Sequence, residues 1–346
     1  MGRPTRSVSG PAVAESEPDA GDHAQNGGMD DHPDPPSLRA PRLRPGDRVR
    51  IVAPACPPSR EEANRGVELL TSWGLRAELG EHVFDQWGYL AGRDEDRAGD
   101  LNAAFRDPGV RAVIAARGGK GTYRIVDDLD TAALRRDPKP VVGFSDITHL
   151  HLALWARCRL AALHGPFAKR GDPFTGRASA EALRRALMTT DPVTLHRDPS
   201  EATADVSVPG TATGVLMGGS LEAIRTETGA GLPSLRGAIL FLEHRRGTGL
   251  GEVDRALTQL TRSRALDGVR GVALGQFLGF EHDADDPTLG GWGIGDVLRD
   301  RLTALGVPVL GGLPAGHGNN PPTIPLGTRA TMDTATGTLT VLSAVV

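Results

Sequence analysis

Cysteine is scarce in this chain: its 346 residues include two, Cys56 and Cys158. They lie far apart, with no CxxC pair and no Cys or His companion at metal-ligand spacing. That excludes a disulfide framework and a structural zinc site, and both read as small buried apolar residues. An excess of one charge is lacking too, because 39 basic residues stand against 43 acidic ones for a formal net charge of −4. A nucleic-acid or anionic-membrane partner is therefore not expected. No stretch approaches the ~18 apolar residues that span a bilayer. The amino terminus has no hydrophobic region of signal-peptide length, so the expected location is the cytoplasm. No internal repeat is visible, nor any group of His, Cys, Asp and Glu at metal-ligand spacing, and neither a metal nor another cofactor is expected.

What is present suffices for two modest domains with separate cores, since 39% of the residues are hydrophobic. Residues 1–41 are rich in Gly, Pro, Ser, Asp and Ala without apolar periodicity, which predicts a disordered tail. Order is expected from about Leu43. The turn Arg44-Pro45-Gly46-Asp47 precedes an apolar run at 49–53, which reads as a buried strand. Ser59 and Glu62 form a capping box for a helix carrying Val67, Leu70 and Trp73, and Gly74 ends it. A helix at 94–105, a strand at 112–116, a short helix at 123–129, a strand at 140–144 and a helix at 146–156 continue the alternation. Such alternation predicts a parallel sheet covered on both faces, a flavodoxin- or Rossmann-like α/β domain over residues 42–170.

Residues 171–205 read as a crossover, apart from a helical patch at 178–187. A second, smaller α/β domain follows over 206–346. Its expected elements are strands at 237–242 and 269–277, helices at 252–261 and 295–305, and a hairpin of 328–332 with 338–342 about Gly337.

In parallel sheets, ligands and catalytic groups gather just beyond the strand ends. Gly143-Phe144-Ser145-Asp146 stands at such an end. A tight strand-to-helix turn pushes the serine hydroxyl outward and aims the Asp146 amide at the same space. Alternatively, Ser145 is a helix N-cap. The second glycine of GxSxG is missing, so an ordinary α/β-hydrolase is not indicated.

Arg117-Gly118-Gly119-Lys120-Gly121-Thr122 follows another strand. Its glycines offer amide protons to an anion, or simply make a turn. Neither GxxxxGK[ST] nor GxGxxG is present. Glu243 follows the strand at 238–242, as an orienting carboxylate or as the partner of a nearby arginine. His317 sits between Gly316 and Gly318 in a loop free to aim its ring, or else left in solvent. Together a serine, a histidine and a glutamate supply the nucleophile, base and orienter of acyl transfer.

A series of short motifs in order and spacing resembles the LD-carboxypeptidase family from Leu43 to about Met332. The first half carries Gly46-Asp47, Ala53-Pro54, Ala91-Gly92, Glu95-Asp96-Arg97, Arg117-Gly118-Gly119, Gly143-Phe144-Ser145-Asp146-Ile147-Thr148 and His164-Gly165-Pro166. The second carries Gly218-Gly219-Ser220-Leu221, Phe241-Leu242-Glu243, Gly275-Gln276-Phe277, Gly316-His317-Gly318 and Pro325-Leu326-Gly327.

The resemblance implies a metal-independent serine peptidase with Ser145 as nucleophile and Glu243 and His317 completing the triad. It also implies oxyanion donors from the Asp146 amide and the Gly118-Gly119 turn. The implied substrate is a murein tetrapeptide, cut before its terminal D-alanine in cell-wall recycling, and the implied assembly is a homodimer. With the nucleophile in one domain and its partners in the other, the site should lie in the cleft between them. Lys120 departs from the aromatic residue usual in that turn, and Gly219-Ser220 replaces Gly-Asn. Two rivals stand beside this reading. One is the microcin-immunity branch, which resembles the family in fold and triad but acts on peptidyl or aminoacyl nucleotides. The other is a catalytically silent peptide-binding protein, against which all three triad residue types argue.

Overall fold

A computed structural model describes residues 2, 36–167 and 176–346. Strand β1 (Arg48–Val52) leads into helix α1 (Arg60–Ser72) and strand β2 (Arg76–Leu79). The capping box starts α1 as expected: Ser59 Oγ accepts from Glu62 N, and Glu62 Oε2 accepts from Ser59 N. Gly74 ends the turn at φ +80°, where a side chain is disfavoured. Helix α2 (Asp94–Arg106) and strand β3 (Val110–Ala115) follow, then 3-10 turns at Thr122–Arg124 and Val126–Asp128. These two turns replace the one helix expected at 123–129, because the Thr122 amide is drawn out of line to donate to Asp146 Oδ2 at 2.9 Å. Helix α3 (Thr131–Arg136), strand β4 (Val141–Gly143), a 3-10 turn at Ser145–Ile147, helix α4 (Thr148–Cys158) and strand β5 (Ala162–His164) complete this half.

Strands β2, β1, β3, β4 and β5 lie side by side in that order and all run parallel. This is the flavodoxin-like arrangement, whose strand order reverses beside β1 and β3 and opens a crevice at their carboxyl ends. The sequence did not reveal the sixth strand. Strand β12 (Ile324–Leu326), from far along the chain, pairs antiparallel with β5 at the sheet edge.

The second half contains helix α5 (Arg177–Met188), strands β6 (Val193–His196), β7 (Ser207–Val208) and β8 (Thr211–Ser220), and helix α6 (Leu221–Glu227). Strand β9 (Ala238–Arg245), helix α7 (Leu250–Arg262), strand β10 (Gly271–Leu278), helix α8 (Ile294–Thr303) and strand β11 (Val309–Leu310) come next. The hairpin of β13 (Arg329–Asp333) and β14 (Thr338–Val341) closes the chain as expected. These strands form an eight-stranded mixed sheet, parallel from β8 through β11. Leu250, Val253, Leu257 and Leu260 recur along one face of α7. They pack with Val297, Leu298 and Leu302 of α8 on Leu240, Leu242, Val272 and Leu274 of the sheet. Burying each such side chain stabilises the fold by about 1.5–3 kcal/mol relative to exposure.

Of the tail expected over residues 1–41, residues 1 and 3–35 lie outside the described residues, as do the first residues of the expected crossover, 171–175. Paired backbone begins earlier than Leu43. Leu38 exchanges backbone hydrogen bonds of 2.9 Å with Arg159 and Ala161, and Val346 N donates to Ala40 O at 2.9 Å. Two isolated apolar residues bridged to Leu160 and Val345, outside any strand, leave no local periodicity to read. Cys158 is buried as expected, but Cys56 is only half-buried, beside the glycine turn. Among the described residues no helix is long and apolar enough to cross a membrane.

Candidate active site

Strand β4 ends at Gly143, and Phe144 continues extended at φ −152°. Ser145 then turns to φ +62°, a left-handed conformation that costs a non-glycine residue about 1 kcal/mol or more. It is therefore not an N-cap: Phe144 holds that position for the 3-10 turn and Ile147 for α4, which starts three residues after the serine. Two glycines make the turn possible. A Cβ at Gly143 would lie 2.1 Å from Ile147 Cγ2. One at Gly118 would lie 2.7 Å from Phe144 O, 3.0 Å from Ser145 Cβ and 3.2 Å from Asp146 N. The glycine turn after β3 is thus pressed against the serine turn after β4.

Both turns line one cavity of about 640 Å³, shared with His317 and with residues of α6 and the end of β9. Ser145, Asp146, Gly118, Gly119 and His317 all reach it, so the fold gathers five of the six expected residues on one surface. The sixth, Glu243, stands directly behind. His317 Nδ1 lies 2.5 Å from Glu243 Oε2, and the carboxylate is wholly buried.

Glu243 is inside β9 rather than beyond its end, because β10 pairs with this strand as far as Arg245. The pairing shifts register between Leu274 and Phe277, alongside Glu243, and such irregularities re-aim side chains. The His317 loop is held in turn by Gln276, whose Oε1 accepts from Gly318 N at 2.7 Å and whose Nε2 donates to Glu201.

Burial is the largest influence on the Glu243 carboxyl and pushes it up. The charge and hydrogen bond of His317, with the nearby imidazoles of His164 and His244, outweigh it and hold the group below its ordinary value. Asp146 goes the other way, raised by burial although its carboxylate accepts from Thr122 N.

The sequence did not single out a second buried pair. His149 Nδ1 lies 2.5 Å from Glu227 Oε1, and His149 lines the same cavity. The signal available was only proximity, since His149 stands in the first turn of α4, directly after the serine turn. At the rim Lys120 Nζ reaches Glu222 Oε1 at 2.6 Å. No metal-ligand spacing was visible in the sequence, yet folding brings His82, Asp85 and Asp96 together with ligand atoms within 4.8 Å of one another. None of the three lines the cavity. His82 Nδ1 is already hydrogen-bonded to Asp85 at 2.8 Å.

The LD-carboxypeptidase N-terminal domain matches residues 49–165, and the LD-carboxypeptidase C-terminal domain matches residues 213–332. A Streptomyces coelicolor protein that carries a carboxypeptidase name is 42% identical over 310 residues, 88% of this chain and 96% of that protein. A Bacillus subtilis protein named as a murein peptide carboxypeptidase is 33% identical over 300 residues, 85% of this chain and 91% of its own length. Among solved structures, the muramoyltetrapeptide carboxypeptidase of Oxalobacter formigenes superposes with a TM-score of 0.74 at 27% identity, over 85% of this chain and 97% of that one. An MccF-like protein of Bacillus anthracis shares the fold with a TM-score of 0.77 at 24% identity, over 89% and 100%. Both domains match in order, and relatives align along nearly their whole length. The chain belongs to the LD-carboxypeptidase family of peptidases.

Proposed function

We propose that this protein is a serine carboxypeptidase that hydrolyses the L,D amide bond before the terminal D-alanine of murein tetrapeptides, with Ser145, His317 and Glu243 as its triad. The observation that carries the reading is the buried His317–Glu243 hydrogen bond in the wall of the cavity that Ser145 lines. With Nδ1 committed to Glu243, Nε2 is the nitrogen that takes the proton of Ser145 Oγ as it attacks the carbonyl carbon. Backbone amides of Asp146 and of the Gly118-Gly119 turn meet the oxyanion. Nε2–H then protonates the leaving amine, D-alanine departs, and water resolves the acyl-enzyme by the same base. The carboxylate fixes the tautomer throughout and stabilises the imidazolium.

The names of the Bacillus subtilis and Oxalobacter formigenes relatives support a murein peptide as substrate. Arg117, Lys120 and Arg245 with Asp146 and Glu222 give the cavity charges of both signs, as a peptide bearing carboxylates and an amine requires. On the family resemblance the enzyme acts in the cytoplasm, as a homodimer, on peptides released in wall turnover. The test is incubation with purified tetrapeptide and, separately, with an aminoacyl nucleotide, read by mass spectrometry. Loss of one D-alanine from the tetrapeptide is expected. Cleavage of the nucleotide conjugate alone would move the protein to the microcin-immunity activity, and cleavage of neither would leave a peptide-binding protein.

A further inference from the structure

His164 ends β5, in register with Gly143 of the serine strand, and is 1% exposed. Its ring is enclosed by Phe144 and Phe241, with centroid distances of 5.1 and 5.9 Å. His151 of α4 stands behind it at 6.1 Å. Neither nitrogen of His164 has a hydrogen-bond partner among the described residues. The same holds for one carboxylate oxygen of Glu243, Oε1, the one that does not face His317. These two orphaned groups point to each other: His164 Nε2 lies 3.9 Å from Glu243 Oε1.

We infer that His164 is a positioning residue for the triad, a neutral imidazole whose Nε2–H donates to Glu243 Oε1 and holds the carboxylate on His317. The inference rests on the triad reading above. A fully buried carboxylate with one oxygen unmatched would rotate or take up a proton, and either would release His317 Nδ1. A donor on the opposite oxygen fixes both orientation and charge. The 3.9 Å separation is longer than a direct hydrogen bond, as catalytic hydrogen bonds often are before substrate tightens the site.

The charged and titratable groups acting on Glu243 come from three places: His317 in its loop, His164 on β5 and His244 on its own strand. Burial pushes His164 down to about 4, so it is neutral where the enzyme works and carries one N–H for Glu243. That burial is why the group acts as a donor and not as a second cation.

Two substitutions separate this role from packing. His164→Phe fills the same space without a donor, and His164→Gln keeps an N–H. In the phenylalanine variant kcat should fall about 10- to 100-fold with KM unchanged, the range met when an outer partner of an oriented imidazole is lost. The acidic limb of the pH–kcat profile should move to higher pH, because a carboxylate without its donor takes up a proton more readily. The glutamine variant should recover most of the rate and return the limb toward the wild-type position. The limb position does not depend on the active fraction, so a poorly folding variant remains informative. An unshifted limb in His164→Phe, or a glutamine variant no better than phenylalanine, would overturn the role. Ser145→Ala and His317→Ala, assayed alongside, judge the triad: if they keep turnover, the mechanism fails whatever His164 does.

Discussion

Lys120 of the glycine turn lies 2.6 Å from Glu222 in the first turn of α6, across the rim of the cavity. The side chains are 52% and 42% exposed, so solvent screens the pair and its contribution to stability is below about 1 kcal/mol. Lys120→Met should leave the melting temperature nearly unchanged. Because both residues line the cavity, KM for a charged peptide should move more than kcat. A melting temperature shifted as far as that of a core variant would show a structural clamp instead.

Ser145→Ala should lower turnover roughly 10³-fold or more if Ser145 is the nucleophile. Ser145→Gly should be equally inactive yet melt higher than the alanine variant, because glycine adopts φ +62° without strain. Equal melting temperatures for the two would remove the strained turn from the account, and retained activity in either would remove the nucleophile.

Gly118→Ala puts a methyl group 2.7 Å from Phe144 O and 3.0 Å from Ser145 Cβ. The two turns must separate, which displaces the amides proposed to meet the oxyanion. A loss of kcat by about 10²-fold or more is expected, read beside a circular dichroism spectrum like that of the wild type. Wild-type kinetics would show that the turns are not in this contact during turnover.

Stability should fall with acid. His151 and His164 are pushed down to about 3 and about 4 by burial, so the unfolded chain binds protons there that the folded chain refuses. The stability is fully present above the ordinary value near 6.5 and is lost as pH falls from there toward about 4 for His164 and about 3 for His151. Each group contributes up to about 1.4 kcal/mol per pH unit. His82 is raised, chiefly by its hydrogen bond to Asp85, and opposes the trend. Urea midpoints at pH 7 and pH 5 measure the slope. His151→Leu should flatten it, and an unchanged slope would mean that His151 titrates in the folded state.

Deleting residues 1–41 should lower the melting temperature relative to deleting residues 1–35, because only the longer deletion removes the hydrogen bonds of Leu38 and Ala40. Identical melting curves would show that this pairing adds nothing to stability.

Where local pattern carries information, the fold was legible. The Ser59–Glu62 box, the helix expected at 252–261 and the hairpin about Gly337 appear close to where the sequence put them. The strand expected at 140–144 is β4, whereas the three residues of β5 are too few to show a period. Strand β12 contains Pro325, which argues against a strand and is accepted because β12 lies at the sheet edge. The gathering of Ser145, Asp146, Gly118, Gly119 and His317 was expected from motifs, whereas His149–Glu227 joins residues 78 positions apart with no local signature at Glu227.

The placement of β12 also bears on synthesis. Its partner β5 is complete by residue 164, but the strand that covers that edge is made of residues 324–326. A chain emerging from the ribosome must therefore carry the open edge of its first sheet, with His164 on it, until almost all of the protein has been translated. An amino-terminal fragment ending after β5 would present that edge to any other extended strand, and self-association is the state such a fragment should reach.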